Sequence, residues 1–179
     1  MINVTVCPTF YPINFITKDR DVLDDPIPLD VVEDRLREIN LFREIRHIDV
    51  MGGEITNLGS EYFIMLMKTL RKYFDGAPNI YTELDKLAPF LMAPNPPFTV
   101  TVVMNEDEKV HNTMTNLLQL PYDVEMLVLI RKHHTFADES QIVTTVDSIN
   151  KVKNVWSVLF KPYSTSIYRK DSMTHKDFE

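Results

Sequence analysis

Apolar residues along this chain switch between two spacings. Ile2 to Val6 alternates and is rich in β-branched side chains, which predicts a strand. Pro8 and Pro12 end it, because proline offers no ladder donor. After the polar loop "ITKDRDVLDDPIP", Asp25 or Pro28 opens a helix over "PLDVVEDRLREIN". Its Leu29, Val32, Leu36 and Ile39 fall on one helical face. His47 to Met51 is the next strand. A helix then starts at about Ser60, a suitable N-cap, and runs through "EYFIMLMKTLRKYF" until Gly76 and Pro78 stop it.

The second half repeats the alternation. "NIYTEL" predicts a strand, and the proline-broken "DKLAPFLMAPNPP" predicts irregular chain. "FTVTVVMN" is the clearest strand of all. "EDEKVHNTMTNLLQL" predicts a helix with acidic residues in its first turn, where the helix dipole favours them, and Pro121 closes it. "EMLVLIR" is nearly all apolar, as expected for a strand covered on both faces. "SQIVTTVDSINKV" predicts a helix and "VWSVLFKPY" a strand. The order is βα about five times plus a sixth strand, at about 30 residues per unit. Such alternation points to a parallel α/β sheet with right-handed crossovers. Two architectures satisfy it, a doubly wound open sheet and a partial (βα)6 barrel; a closed eight-unit barrel needs about 250 residues.

Composition narrows the class. The 179 residues predict one domain, taken as 1–168, with a polar tail over 169–179. A net charge of −7 argues against a generic nucleic-acid surface. The one cysteine, Cys7, allows no intrachain disulfide and no Cys-based zinc or iron–sulfur motif, and it fits a reducing, cytoplasmic setting. The first residues do not read as a signal peptide, and no apolar run approaches the roughly 20 residues of a membrane helix.

In either architecture ligands bind at the carboxyl ends of the strands. Those ends are "CPTFYP", "MGGEI", "TELD", "NEDE", "RKHH" and "KPYS". The chain has 4 glycines, and two of them, Gly52 and Gly53, stand together at the second end. They make either a tight βα turn or a backbone that a ligand approaches closely, with Glu54 offering a carboxylate to a cationic group such as an amine. The further glycines and the lysine of dinucleotide or phosphate loops are missing. His133 and His134 are adjacent on an extended segment, so their side chains diverge and do not suit a metal. His111 and the acidic Glu106, Asp107 and Glu108 read as helix surface. Cys7 reads as a small buried apolar residue rather than a nucleophile.

"DVMGGEI" after the second strand resembles the Gly-Gly-Glu motif of the radical S-adenosylmethionine superfamily. "VTVCPTFYP" looks like that family's first strand and cluster loop. "NIYTEL", "TVTVVMNEDEKVHNTMTNLL" and "NVWSVLFKPYS" are similar to its third, fourth and sixth strands. The resemblance spans roughly residues 2–166 and implies a parallel-stranded partial (βα)6 barrel. It implies S-adenosylmethionine or a related nucleotide as ligand, contacted by Gly52, Gly53 and Glu54 with Thr82 and Glu83 beside them. The family's three cluster cysteines, spaced CxxxCxxC, fall here on Pro12, Ile16 and Asp19, none of which supplies a thiolate. No [4Fe–4S] cluster and no radical chemistry are therefore expected.

Three functions follow as expectations. The first is a non-catalytic binding or regulatory protein with a protein partner, or a homo-oligomer, at the open barrel edge. The second is a binder of S-adenosylmethionine or a nucleotide. The third is a non-radical enzyme using Glu54, Glu83, Lys161 or Tyr163 at the barrel mouth.

Overall fold

A computed structural model describes residues 1–8, 26–104, 110–130, 147 and 149–162. Six strands are present: β1 Ile2–Val6, β2 Ile45–Val50, β3 Asn79–Thr82, β4 Thr99–Met104, β5 Val124–Ile130 and β6 Val155–Pro162. All neighbouring pairs are parallel, and the strand order in space is the order in sequence. That order decides between the two architectures. A doubly wound sheet reverses its strand order at a switch point. Here each strand adds beside its predecessor, so right-handed crossovers put the connections on one face and the sheet curls around the other. β1 and β6 share no ladder. The fold is a parallel-stranded partial barrel, open at one side.

Among the described residues three α-helices lie in the connections: α1 Leu29–Phe42, α2 Ser60–Leu70 and α3 Val110–Leu117. In α1 the apolar stripe buries Val32 and Leu36. Two helix ends differ from expectation. Gly59, not Ser60, is the N-cap of α2. The helix also stops at Leu70, four residues short of Phe74. The chain continues in tighter turns, with Lys72 N donating to Thr69 O and Tyr73 N to Leu70 O, and Tyr73 and Phe74 fold onto the core. Gly76 serves this packing rather than the helix stop, since a Cβ there would run into the Phe74 ring.

The β3–β4 connection holds no α-helix, only a short 3-10 turn over Pro89–Met92. Pro89, Pro94, Pro96 and Pro97 remove the donors a helix needs. The turn covers the sheet nevertheless. Leu91 is fully buried, and the Phe90 ring stacks on Phe63 of α2 at 3.9 Å, with Phe98 edge-on to Phe63 at 5.2 Å.

One apolar core lies between the helices and the outer face of the sheet. Val6, Ile48, Val50, Ile80, Val100, Val102, Val124 and Met126 meet Leu36, Phe63, Leu66, Leu70 and Leu117 there. The inner face is different. Barrel interiors are normally filled by branched apolar side chains. Here the registered positions Asp49, Asn79 and Thr99, then Tyr81, Thr101, Glu125 and Ser157, put polar groups inside. β5 places Glu125 on that polar inner face, but its neighbour there, Leu127, is buried like Met126 on the outer face, so the strand is covered on both faces as its sequence predicts.

Candidate functional site at the strand ends

β2 ends at Val50, and Met51 N donates to Val6 O at 3.0 Å, which ties its end to β1. The next two residues are Gly52 with φ 109° and Gly53 with φ 65°. Both values lie in the left-handed half of backbone space, where a Cβ meets its own carbonyl; only glycine holds the first cheaply. These values explain why two of the chain's 4 glycines stand here side by side.

Glu54 follows in extended conformation and caps a 3-10 turn over Ile55–Asn57. Its Oε1 accepts from Thr56 N at 3.1 Å and from the Thr56 hydroxyl at 2.7 Å. The same carboxylate reaches β3. The Thr82 hydroxyl donates to Oε1 at 2.6 Å and Glu83 N donates to Oε2 at 2.7 Å. Three of these donors thus converge on Oε1 and one reaches Oε2. Thr82 in turn accepts from Leu84 N at 2.9 Å.

The end of β3 is held from the other side by α3. The Thr113 hydroxyl donates to Glu83 O at 2.9 Å, and Asn116 Nδ2 donates to Leu84 O at 2.8 Å. Leu84 is fully buried at φ 56°, a costly value for a leucine. Helix α3, the 3-10 turn and a carboxylate therefore over-determine the shape of the loops after β2 and β3.

Gly52, Gly53, Glu54, Thr82 and Glu83 are all brought together at these two strand ends. Lys161 is exposed near the end of β6, and no described contact joins it to them. Cys7 lies at the end of β1 and is exposed, not the buried residue expected, although desolvation of its sulfur pushes the thiol above its ordinary value. Pro12, Ile16, Asp19, Glu106, Asp107, Glu108, His133, His134, Tyr163 and the 169–179 tail lie outside the described residues, as does the side chain of His111. The helix expected over 140–152 is described only at its end, where Asp147, Ile149 and Asn150 are helical. Among the described residues no group of three or more His, Cys, Asp or Glu is placed to hold a metal ion, and no helix is long and apolar enough to cross a membrane.

A second set of polar residues lines the inner face below this mouth. His47 Nε2 lies 2.9 Å from Asp49 Oδ1, and Asn79 Nδ2 donates to the same oxygen at 3.4 Å. Asn79 also donates to Thr101 Oγ1 at 3.0 Å and accepts from Thr99 at 3.1 Å. The Thr101 and Ser157 hydroxyls reach Glu125 at 3.4 and 3.2 Å. Burial, then the nearby Asp49 and Glu125 charges, raise the Tyr81 phenol above its ordinary value. Sequence reasoning missed this network. Its signal was present, since His47, Asp49, Asn79, Tyr81, Thr99 and Thr101 alternate with apolar residues.

No protein-family model matches this chain, and no curated protein matches its sequence. A solved structure matches its fold: native anSMEcpe with bound AdoMet and Kp18Cys peptide. The TM-score is 0.62 at 15% identity, covering 98% of this chain and 56% of the other. The chain thus spans a little over half the length of that structure. The likeness is one of fold, a parallel-stranded partial barrel.

Proposed function

We propose that this chain is a non-catalytic binding or regulatory protein. Its barrel mouth holds S-adenosylmethionine or a related nucleotide without a cluster. The observation that carries this reading is the Gly52–Gly53 turn, whose φ values and bracing by Glu54 fix a bare backbone at the mouth. A ligand ammonium is a donor of three hydrogen bonds, and each peptide carbonyl has two lone pairs. In this reading Gly52 and Gly53 contact the amino group through backbone. Glu54 positions them, since its own oxygens already serve four donors. Thr82 and Glu83 complete the frame. The AdoMet bound in the similar structure supports the ligand class.

The donor set does not fit an iron–sulfur cluster. Such a cluster takes Cys thiolates, rarely His, and this chain has one cysteine. That count also favours a reducing, cytoplasmic setting. The acid–base reading is weaker, because no described contact joins Lys161 to Glu54 or Glu83 at the mouth.

Calorimetry with S-adenosylmethionine and S-adenosylhomocysteine tests the binding claim. Saturable heat is expected, lost in Gly52→Ala, and no heat at millimolar ligand with folded protein would end the idea. Anaerobic reconstitution with iron and sulfide tests the other half. Uptake of about four irons per chain, the content of a [4Fe–4S] cluster, would overturn it.

A further inference from the structure

The ladder between β3 and β4 ends at Thr82 with Val102, so the backbone groups of Glu83 and Leu84 lie beyond it. All of them are engaged nevertheless, each by a side chain. Glu83 N donates to Glu54 Oε2 at 2.7 Å and Leu84 N to Thr82 Oγ1 at 2.9 Å. Glu83 O accepts from the Thr113 hydroxyl at 2.9 Å and Leu84 O from Asn116 Nδ2 at 2.8 Å. The N–H groups are thus held from the loop after β2 and from β3 itself, and the carbonyls from α3. Thr113 and Asn116 are three residues apart on α3, so both project from one face of that helix.

A peptide unit is planar, so a bond to its N–H or its carbonyl orients the whole plane. Glu54 orients the plane that joins Thr82 to Glu83. Thr82 and Thr113 orient the next plane, between Glu83 and Leu84, from its two sides. Asn116 orients the plane after that, between Leu84 and Asp85. The dihedral angles of Leu84 relate these last two planes. Its φ of 56° is a left-handed value that a residue with a Cβ disfavours. Freed from Asn116, the last plane would turn back toward negative φ. Glu54 does not oppose that turn, because its bond ends two planes earlier. Strained backbone persists only where its surroundings over-determine it, and it concentrates at binding sites and switches.

We infer that Thr113 and Asn116 are positioning residues for the barrel mouth. Through them α3 holds Leu84 in its strained turn, and that turn keeps Glu83 N against the Glu54 carboxylate. They act through Glu83 and Glu54, not by touching a ligand. What the mouth binds rests on the reading proposed above; the hold of α3 on its shape does not.

Two measurements on the full chain test this, with variants Asn116→Ala and Thr113→Val. Ile39→Ala, which truncates the core-facing side of α1, serves as a control for stability alone. The first measurement is amide hydrogen exchange by NMR without ligand. The Thr56 and Glu83 amides both donate to Glu54, and neither is bonded to α3. Relative to the control, both are expected to exchange about fivefold faster in the two α3 variants, the factor for one lost hydrogen bond. The second is calorimetry with S-adenosylmethionine. Affinity is expected to fall about fivefold in the α3 variants and to stay at the wild-type value in Ile39→Ala. Thr56 and Glu83 amides that exchange as in the control would overturn the inference, whatever the ligand does. Faster exchange with unaltered affinity would also overturn it, since the bonds would then only add stability. Faster exchange in a protein whose wild type gives no heat would uphold the hold of α3 and end the ligand reading instead.

Discussion

The Thr82 hydroxyl lies 2.6 Å from a Glu54 carboxylate oxygen, although the two residues are 28 positions apart in the chain. That bond joins the loop after β2 to the end of β3 and sets the shape of the barrel mouth.

Breaking it from either side is expected to cost stability. Glu54→Gln turns one acceptor toward donors as an N–H group, and a loss of about 1–3 kcal/mol follows from leaving buried donors unpaired. Thr82→Val removes one donor and strands Leu84 N, for about 1–2 kcal/mol. The two losses should be less than additive in the double variant, as for residues sharing one bond. Urea unfolding of the four proteins measures this, and strict additivity would show that the contact carries little.

Gly52→Ala is expected to destabilise by about 1–2 kcal/mol, because φ 109° lies where a Cβ is strained. The thermal midpoint reads this without any ligand. An unchanged midpoint would mean that the turn relaxes freely and is not a fixed frame.

Asn79 joins Asp49, Thr99 and Thr101 and is nearly fully buried. Asn79→Ala leaves several partners unsatisfied, and a loss of about 2–3 kcal/mol is expected. Asn79→Asp should be worse than neutral substitution at pH 7 and recover in acid, since it adds a third carboxylate near Asp49 and Glu125. Denaturant midpoints at pH 5 and pH 7 separate the two variants.

Burial pushes the Tyr122 phenol from 10.0 up to about 12, and its hydroxyl is buried with no partner among the described residues. A phenol whose folded value is raised holds its proton longer in the folded state. Its contribution is therefore fully present below pH 10 and is lost as pH rises toward 12. Stability should fall over that window, with Tyr81 acting in the same direction. Tyr122→Phe should flatten part of the fall and, at neutral pH, be neutral or stabilising by about 0.5–1 kcal/mol because an unpaired hydroxyl is removed. Urea midpoints between pH 8 and pH 11 give the slope.

The six strands and the helices α1, α2 and α3 were legible in the chain because their signals are local. β-branched alternation marks β1 and β4, and the apolar stripe of Leu29, Val32, Leu36 and Ile39 marks α1. The paired glycines stood out because glycine is scarce. The end of α2 was not legible: Tyr73 and Phe74 continue the helical pattern, but contacts with the core and with Gly76 pull them out of it. The inner network was overlooked for a similar reason. Polar residues on alternate strand positions normally face water, and only the curl of the sheet turns them inward.

The sequence by itself determined the element types, the place of the Gly52–Gly53 turn and the lack of thiolates for a cluster, since each depends on residue identity and near neighbours. Tertiary structure alone decided strand order, which face of the sheet is enclosed, and the role of Glu54. Those rest on pairings between distant residues, Asp49 with Asn79 and Glu54 with Thr82 among them. A linear pattern names the donors and acceptors present; only the fold brings them within hydrogen-bonding distance.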